Sequence, residues 1–114
     1  MSHVKAFPDF VQRLPELDLP FPGVTGWVVQ DDAQQVVFLE FTETIEVPEH
    51  THEDQWEFAL AGKVELRRDG KFEMYGPGEH FFIPSGQPHK ATVYAGYRAM
   101  IVFDAPNRYP LKQG

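Results

Sequence analysis

The 114-residue sequence contains no cysteine. That excludes disulfide staples, thiolate metal ligation and cysteine nucleophiles together. It also lacks a basic stretch: 10 Lys and Arg stand against 17 Asp and Glu, for a formal net charge of −7. Nucleic acids and anionic membrane surfaces are recognised by clustered Lys and Arg, so neither is an expected partner. No apolar run approaches the roughly 20 residues that span a bilayer. The first residues show no charged start leading into an apolar segment, so no secretory signal is expected and the cytoplasm is the default compartment. No sustained helical period, internal repeat or Gly-rich loop before a helix is present, which leaves no phosphate cradle. No Ser/His/Asp arrangement stands out, and Ser85 is accounted for by its Pro-Ser-Gly turn.

What is present is a globular composition for one domain, with 42% hydrophobic residues and ten Phe. Ten Pro and nine Gly point to many short strands joined by tight turns. Period-2 alternation predicts strands over 24–30, 35–42, 44–47, 56–60, 64–68, 71–75, 81–84, 91–94 and 98–104. Asp69-Gly70 is a hairpin signal between the fifth and sixth. Strands at this spacing predict an all-β sandwich or barrel over residues 24–106. Residues 107–114 form a tail. Residues 1–23 carry Pro8, Pro15, Pro20 and Pro22, and read as an extended arm with one helical turn over 9–14. The arm is too apolar to hang free; it either packs on the barrel or reaches a second subunit. The strand over 35–42 is apolar on both faces, so it is buried twice or forms an interface, and a homodimer is expected.

The chemistry concentrates in His50-Thr51-His52-Glu53-Asp54-Gln55-Trp56-Glu57. Residues two apart on a strand share a face, so His50 pairs with His52 and Gln55 with Glu57. The three-residue step from His52 to Gln55 breaks the alternation, and a bulge at Glu53-Asp54 would bring both pairs to one face. A second segment, Gly78 to His89, ends on another histidine behind a Pro/Gly turn. Imidazole nitrogens with oxygen donors suit one divalent transition metal ion: Zn, Fe, Ni, Mn or Cu. His80 reads as surface, His3 lies in the tail, and Trp27, Trp56, Phe58, Phe72, Phe82 and Tyr97 read as core or pocket wall.

These two segments resemble the paired motifs of the cupin superfamily over roughly residues 35 to 104. The second motif matches through His89 and departs at Val93, where the family often has Asn. The first matches at His50 and His52. Counting forward from His52 puts the family's carboxylate ligand near Glu57; counting back from the turn at Gly62 puts the ligand at Gln55. Strand register follows the turn, so His50, His52, Gln55 and His89 are the expected metal ligands, with Glu57 the alternative to Gln55. The resemblance implies a double-stranded β-helix, or jelly-roll barrel, commonly paired as a homodimer. It also includes small enzymes with Gln at this position that act on unsaturated uronates. Three neutral histidines and an amide would leave the ion's charge uncompensated and favour anionic ligands. Glu57, two residues along the strand, is then the candidate general base, or else a partner that orients a histidine. The expectation is a metal-dependent enzyme on a small polar or anionic metabolite, of isomerase, lyase or dioxygenase type. The alternative is a non-catalytic binder of a small-molecule ligand.

Overall fold

In the computed structural model, residues 7–113 are described. One helical turn, α1 (Asp9–Gln12), precedes the strands β1 (Val24–Gln30), β2 (Gln35–Phe41), β3 (Ile45–His50), β4 (Gln55–Ala61) and β5 (Val64–Arg68). Then come β6 (Lys71–Tyr75), β7 (His80–Ile83), β8 (His89–Val93) and β9 (Arg98–Phe103). They form two antiparallel sheets, ordered β1-β2-β9-β4-β7 and β3-β8-β5-β6. The all-β architecture expected from the strand pattern, and the jelly roll that the family resemblance implied, are what the chain adopts. The β5–β6 hairpin turns through Asp69 and Gly70, both at positive φ (51° and 70°), as a two-residue loop with the right twist requires.

The sheets face each other across one apolar cluster. Val37, Leu39, Ile101 and Phe103 of the larger sheet meet Ile45, Val64, Leu66 and Val93 of the smaller. Period 2 decides what each strand turns outward. In β4, Gln55, Glu57 and Ala59 are buried, so Trp56 is 42% exposed. Phe72 and Phe82 are likewise exposed, and these three aromatics are not the core or pocket wall their size suggested.

β3 runs through Pro48 to His50, farther than the sequence predicted. It can do so because it is the edge of its sheet, where a missing N–H costs no ladder bond, and its register shifts between Val47 and His50.

The arm packs on its own barrel from residue 7 onward. Val28 donates its N–H to Pro15 O (3.0 Å), and Leu17 donates to Gly26 O (2.8 Å). Gly26 is needed there, since a Cβ would lie 2.6 Å from Leu39 Cδ2 and 3.1 Å from Leu17 Cδ1. Farther out, Phe7 packs edge-on against Trp27 and Phe38, both at 5.8 Å, and so covers part of the outer face of β2. That strand's second apolar face is therefore met in part within the same chain. The tail returns alongside the arm: Asp18 donates to Pro110 O (2.9 Å) and Lys112 to Glu16 O (2.8 Å). His3 lies outside the described residues. Among the described residues, no helix is long and apolar enough to cross a membrane.

Candidate metal centre

The two donor pairs of the first segment stand in different sheets. His50 closes β3, residues 51–54 cross between sheets, and Gln55 opens β4. A crossing replaces the expected bulge, because β3 and β4 belong to facing layers and no strand bond joins them. His89 opens β8 directly opposite His50. The loop before His89 is laced to the crossing. Ser85 donates its N–H to Asp54 Oδ1 (2.6 Å). Gly86 donates its N–H to His52 O (3.1 Å).

His50, His52 and His89 are brought together, with one candidate ligand atom from each lying within 4.8 Å of the others. Each Nδ1 sits on a backbone carbonyl: His50 on Pro48 O (2.8 Å), His52 on Glu53 O (2.7 Å), His89 on Gln87 O (2.9 Å). A carbonyl only accepts, so each Nδ1 carries the proton and each neutral ring is left with a bare lone pair on Nε2. Burial pushes the His52 imidazole down to about 4, and lowers His89 as well, so both are neutral at pH 7. His52 Nε2 and His89 Nε2 then face each other at 3.1 Å with no proton to share. A cation suits such a pair, and the spacing lets both nitrogens reach one ion at the usual ~2.0–2.1 Å.

Gln55 and Glu57 line the same inner chamber as the three histidines. Gln55 Nε2 donates to Glu57 Oε1 at 2.6 Å, which leaves the amide carbonyl as Gln55's remaining donor atom for a metal. Glu57 lies outside the histidine trio. Its other oxygen accepts a short hydrogen bond from the Tyr97 hydroxyl. Glu57 is only 6% exposed, and desolvation pushes its carboxyl up to about 7, against the lowering effect of the Tyr97 and Gln55 hydrogen bonds. Burial, then the Glu57 charge, raises Tyr97, which stays a protonated donor.

Tyr97 is set by the turn at Gly62. With φ at +72°, Gly62 backs so closely onto Tyr97 that a Cβ would lie 2.7 Å from its Cα and N. The residue that counts the register of Gln55 thus also places the partner of Glu57.

The inner chamber opens into a cavity of about 870 Å³, walled on one side by the arm and on another by the tail. Sequence reasoning missed Tyr97 as a hydrogen-bonding residue, although it shares strand parity with the inward Ala99, Ile101 and Phe103. It missed Arg108 and Tyr109 altogether, because nothing local marks a tail as a pocket wall. His80 takes no part: it is exposed and meets Trp56 Nε1 at 3.3 Å.

No curated protein is similar enough in sequence to match the chain. Among solved structures, the polyketide cyclase RemF from Streptomyces resistomycificus is similar at 26% identity and a TM-score of 0.67, covering 99% of this chain and 84% of its own. An RmlC-like cupin from Shewanella frigidimarina NCIMB 400 superposes with a TM-score of 0.73 at 19% identity, over 85% of this chain and 88% of its own. Bacillus subtilis oxalate decarboxylase, with its Mn(II) centres, aligns at 19% identity and a TM-score of 0.68, over 89% of this chain and 31% of its own. Residues 37–104 match the cupin domain family, a span that runs from β2 to just past β9 and contains all three histidines, and the chain belongs to that family.

Proposed function

We propose that the protein is a metal-dependent enzyme acting on a small anionic metabolite, with His50, His52, His89 and the Gln55 carbonyl as ligands of one divalent transition metal ion. The observation that carries this reading is the convergence of three histidines, each with its Nδ1 on a backbone carbonyl, beside a buried carboxyl pushed up to about 7. An ion bound there would polarise a substrate carbonyl or carboxylate.

The remaining chemistry belongs to the chain. Glu57, poised near pH 7, can take a proton from a carbon acid and return it, the ideal setting for a general acid–base group. Tyr97 and Gln55 each donate to one of its oxygens, which fixes the carboxylate and stabilises its charged form. The inner chamber of about 80 Å³ is largely hydrocarbon-walled, which limits the water around that carboxyl. Proton transfer of this kind favours isomerisation, lyase or cyclisation chemistry over oxygen insertion, in accord with the likeness to a polyketide cyclase.

The test is elemental analysis of protein purified without added metal, followed by a metabolite screen by thermal shift. The Glu57→Gln variant is expected to keep its metal and lose roughly 10²–10⁴-fold in turnover on the substrate found. Unchanged turnover would leave a binding protein. We further propose a homodimer, supported by the exposed apolar Trp56, Leu60 and Phe82 on one face of the larger sheet; sedimentation at the 13.1 kDa monomer mass would reject it.

A further inference from the structure

Among the described residues, no acidic side chain forms a salt bridge with Arg108. Its Nε is buried and meets no hydrogen-bond partner among the described residues. Arg67 Nε is likewise buried without a hydrogen bond, but Arg67, like Arg68 and Lys112, is paired with a glutamate. Arg108 does not need a counter-ion to hold its position. Its guanidinium lies over the rings of Tyr109 (4.6 Å) and Phe103 (5.6 Å). The tail that carries it is clamped by Gln35, a fully buried residue whose amide both donates to Tyr109 O (3.0 Å) and accepts from Tyr109 N (3.1 Å). Arg108 lines the same cavity as His50 and His52. Asp18 and Glu53 also line that cavity, but both are exposed and screened by solvent.

One wall of the cavity is hydrocarbon, supplied by Leu19, Phe21, Leu39 and Phe41, while Thr51, Asn107 and Tyr109 add polar groups elsewhere. Sugar hydroxyls laid against that apolar wall would lose their water without replacement. The wall suits a flat apolar body, and a volume near 870 Å³ is that of a site for a ring-sized ligand.

We propose that the cavity takes a carboxylate carrying a ring-sized apolar body, with the carboxylate held by Arg108 and the body against Phe21, Leu39 and Phe41. This rests on the reading of the histidine cavity as the substrate site, and it differs from the uronate class that the family resemblance suggested.

The experiment is calorimetric titration of 2-naphthoate, 2-naphthamide and galacturonate into the full-length protein, with metal content measured on the same sample. Naphthoate is expected to bind at least 10-fold tighter than either other probe. Arg108→Met should abolish that preference over naphthamide, Arg108→Lys should restore part of it, and Phe21→Ser should weaken both naphthyl probes. The ratio of naphthoate to naphthamide in the unaltered protein reads the charge even if Arg108→Met does not fold. Tightest binding of galacturonate, equal binding of naphthoate and naphthamide, or no probe below millimolar Kd each overturns the proposal. Metal content separates the two readings: metal present with no naphthoate preference rejects only the ligand class. Metal absent with the preference intact rejects only the metal enzyme.

Discussion

Two polar clusters lie at the barrel's interior edge, and they are built on opposite terms. One joins Arg68, Glu73, Tyr75 and Gln87. There Arg68 pairs with both oxygens of Glu73 (3.0 Å each) and also donates to Phe82 O (2.6 Å) and Gln87 Oε1 (3.1 Å), while Tyr75 donates to Glu73 (2.5 Å). Nearly every donor there has an acceptor inside the cluster. The other holds His50, His52 and His89, whose bare nitrogens point at one another with no donor between them. A satisfied network stabilises the fold; a set of lone pairs held together is a cost that the fold bears for something it binds. The two are linked, since Gln87 belongs to the first cluster and its carbonyl orients His89 in the second.

The sharpest way to break this contrast is to remove the lone pairs. His50→Ala with His52→Ala should abolish stoichiometric metal by elemental analysis. It should also erase the stabilisation that added metal gives the wild type, about 2.7 kcal/mol at a hundredfold excess over Kd. A double variant that keeps its metal would place the site elsewhere. Arg68→Met is the opposite case. It should cost roughly 1–3 kcal/mol in chemical denaturation, because Glu73 loses its cationic partner and two carbonyl acceptors lose their donor, while one metal per chain is retained. Loss of metal with unchanged stability would invert the assignment of the two clusters.

A pH experiment on metal-free protein sharpens the same point. Glu57 is held near 7 against 4.5 when unfolded, so its contribution is fully present below about 4.5 and is lost as pH rises through 7. That loss is on the order of 3 kcal/mol. His52, lowered to about 4 from 6.5, acts in the other sense: its contribution is present above 6.5 and is lost as pH falls toward 4. The two oppose each other between pH 4.5 and 6.5. In Glu57→Gln only the histidine effect remains, so the variant's stability relative to wild type should climb steadily from pH 4.5 to 7. A flat difference would mean that Glu57 is not buried as a titrating group. Gly62→Ala should cost no less than Arg68→Met in thermal unfolding, about 1–3 kcal/mol or more, because a Cβ at this positive φ would press on the Tyr97 backbone.

Much of the molecule was legible in the chain because it depends on neighbours in sequence. Period-2 alternation and the Asp69-Gly70 turn predicted β1, β5 and β6 at their observed bounds. The spacing of His50 and His52, and the turn residues before His89, marked the three side chains that converge. Misplaced elements have a common cause. Trp56, Phe72 and Phe82 look like core by size, but the faces they occupy were decided by which neighbours turn inward. The crossing at 51–54 was read as a bulge because sequence spacing does not say whether two segments share a sheet.

By itself the sequence determined the succession of strands along the chain, the histidine set and the family, since each is written in local period, turn chemistry and motif spacing. The pairing of Tyr97 with Glu57 spans 40 residues, and the clamp of Gln35 on the segment carrying Arg108 spans 74. No local pattern encodes contacts at such separations. They exist because antiparallel pairing and the packing of two sheets bring β9, the tail and β2 to one cavity, and only the tertiary structure decides that.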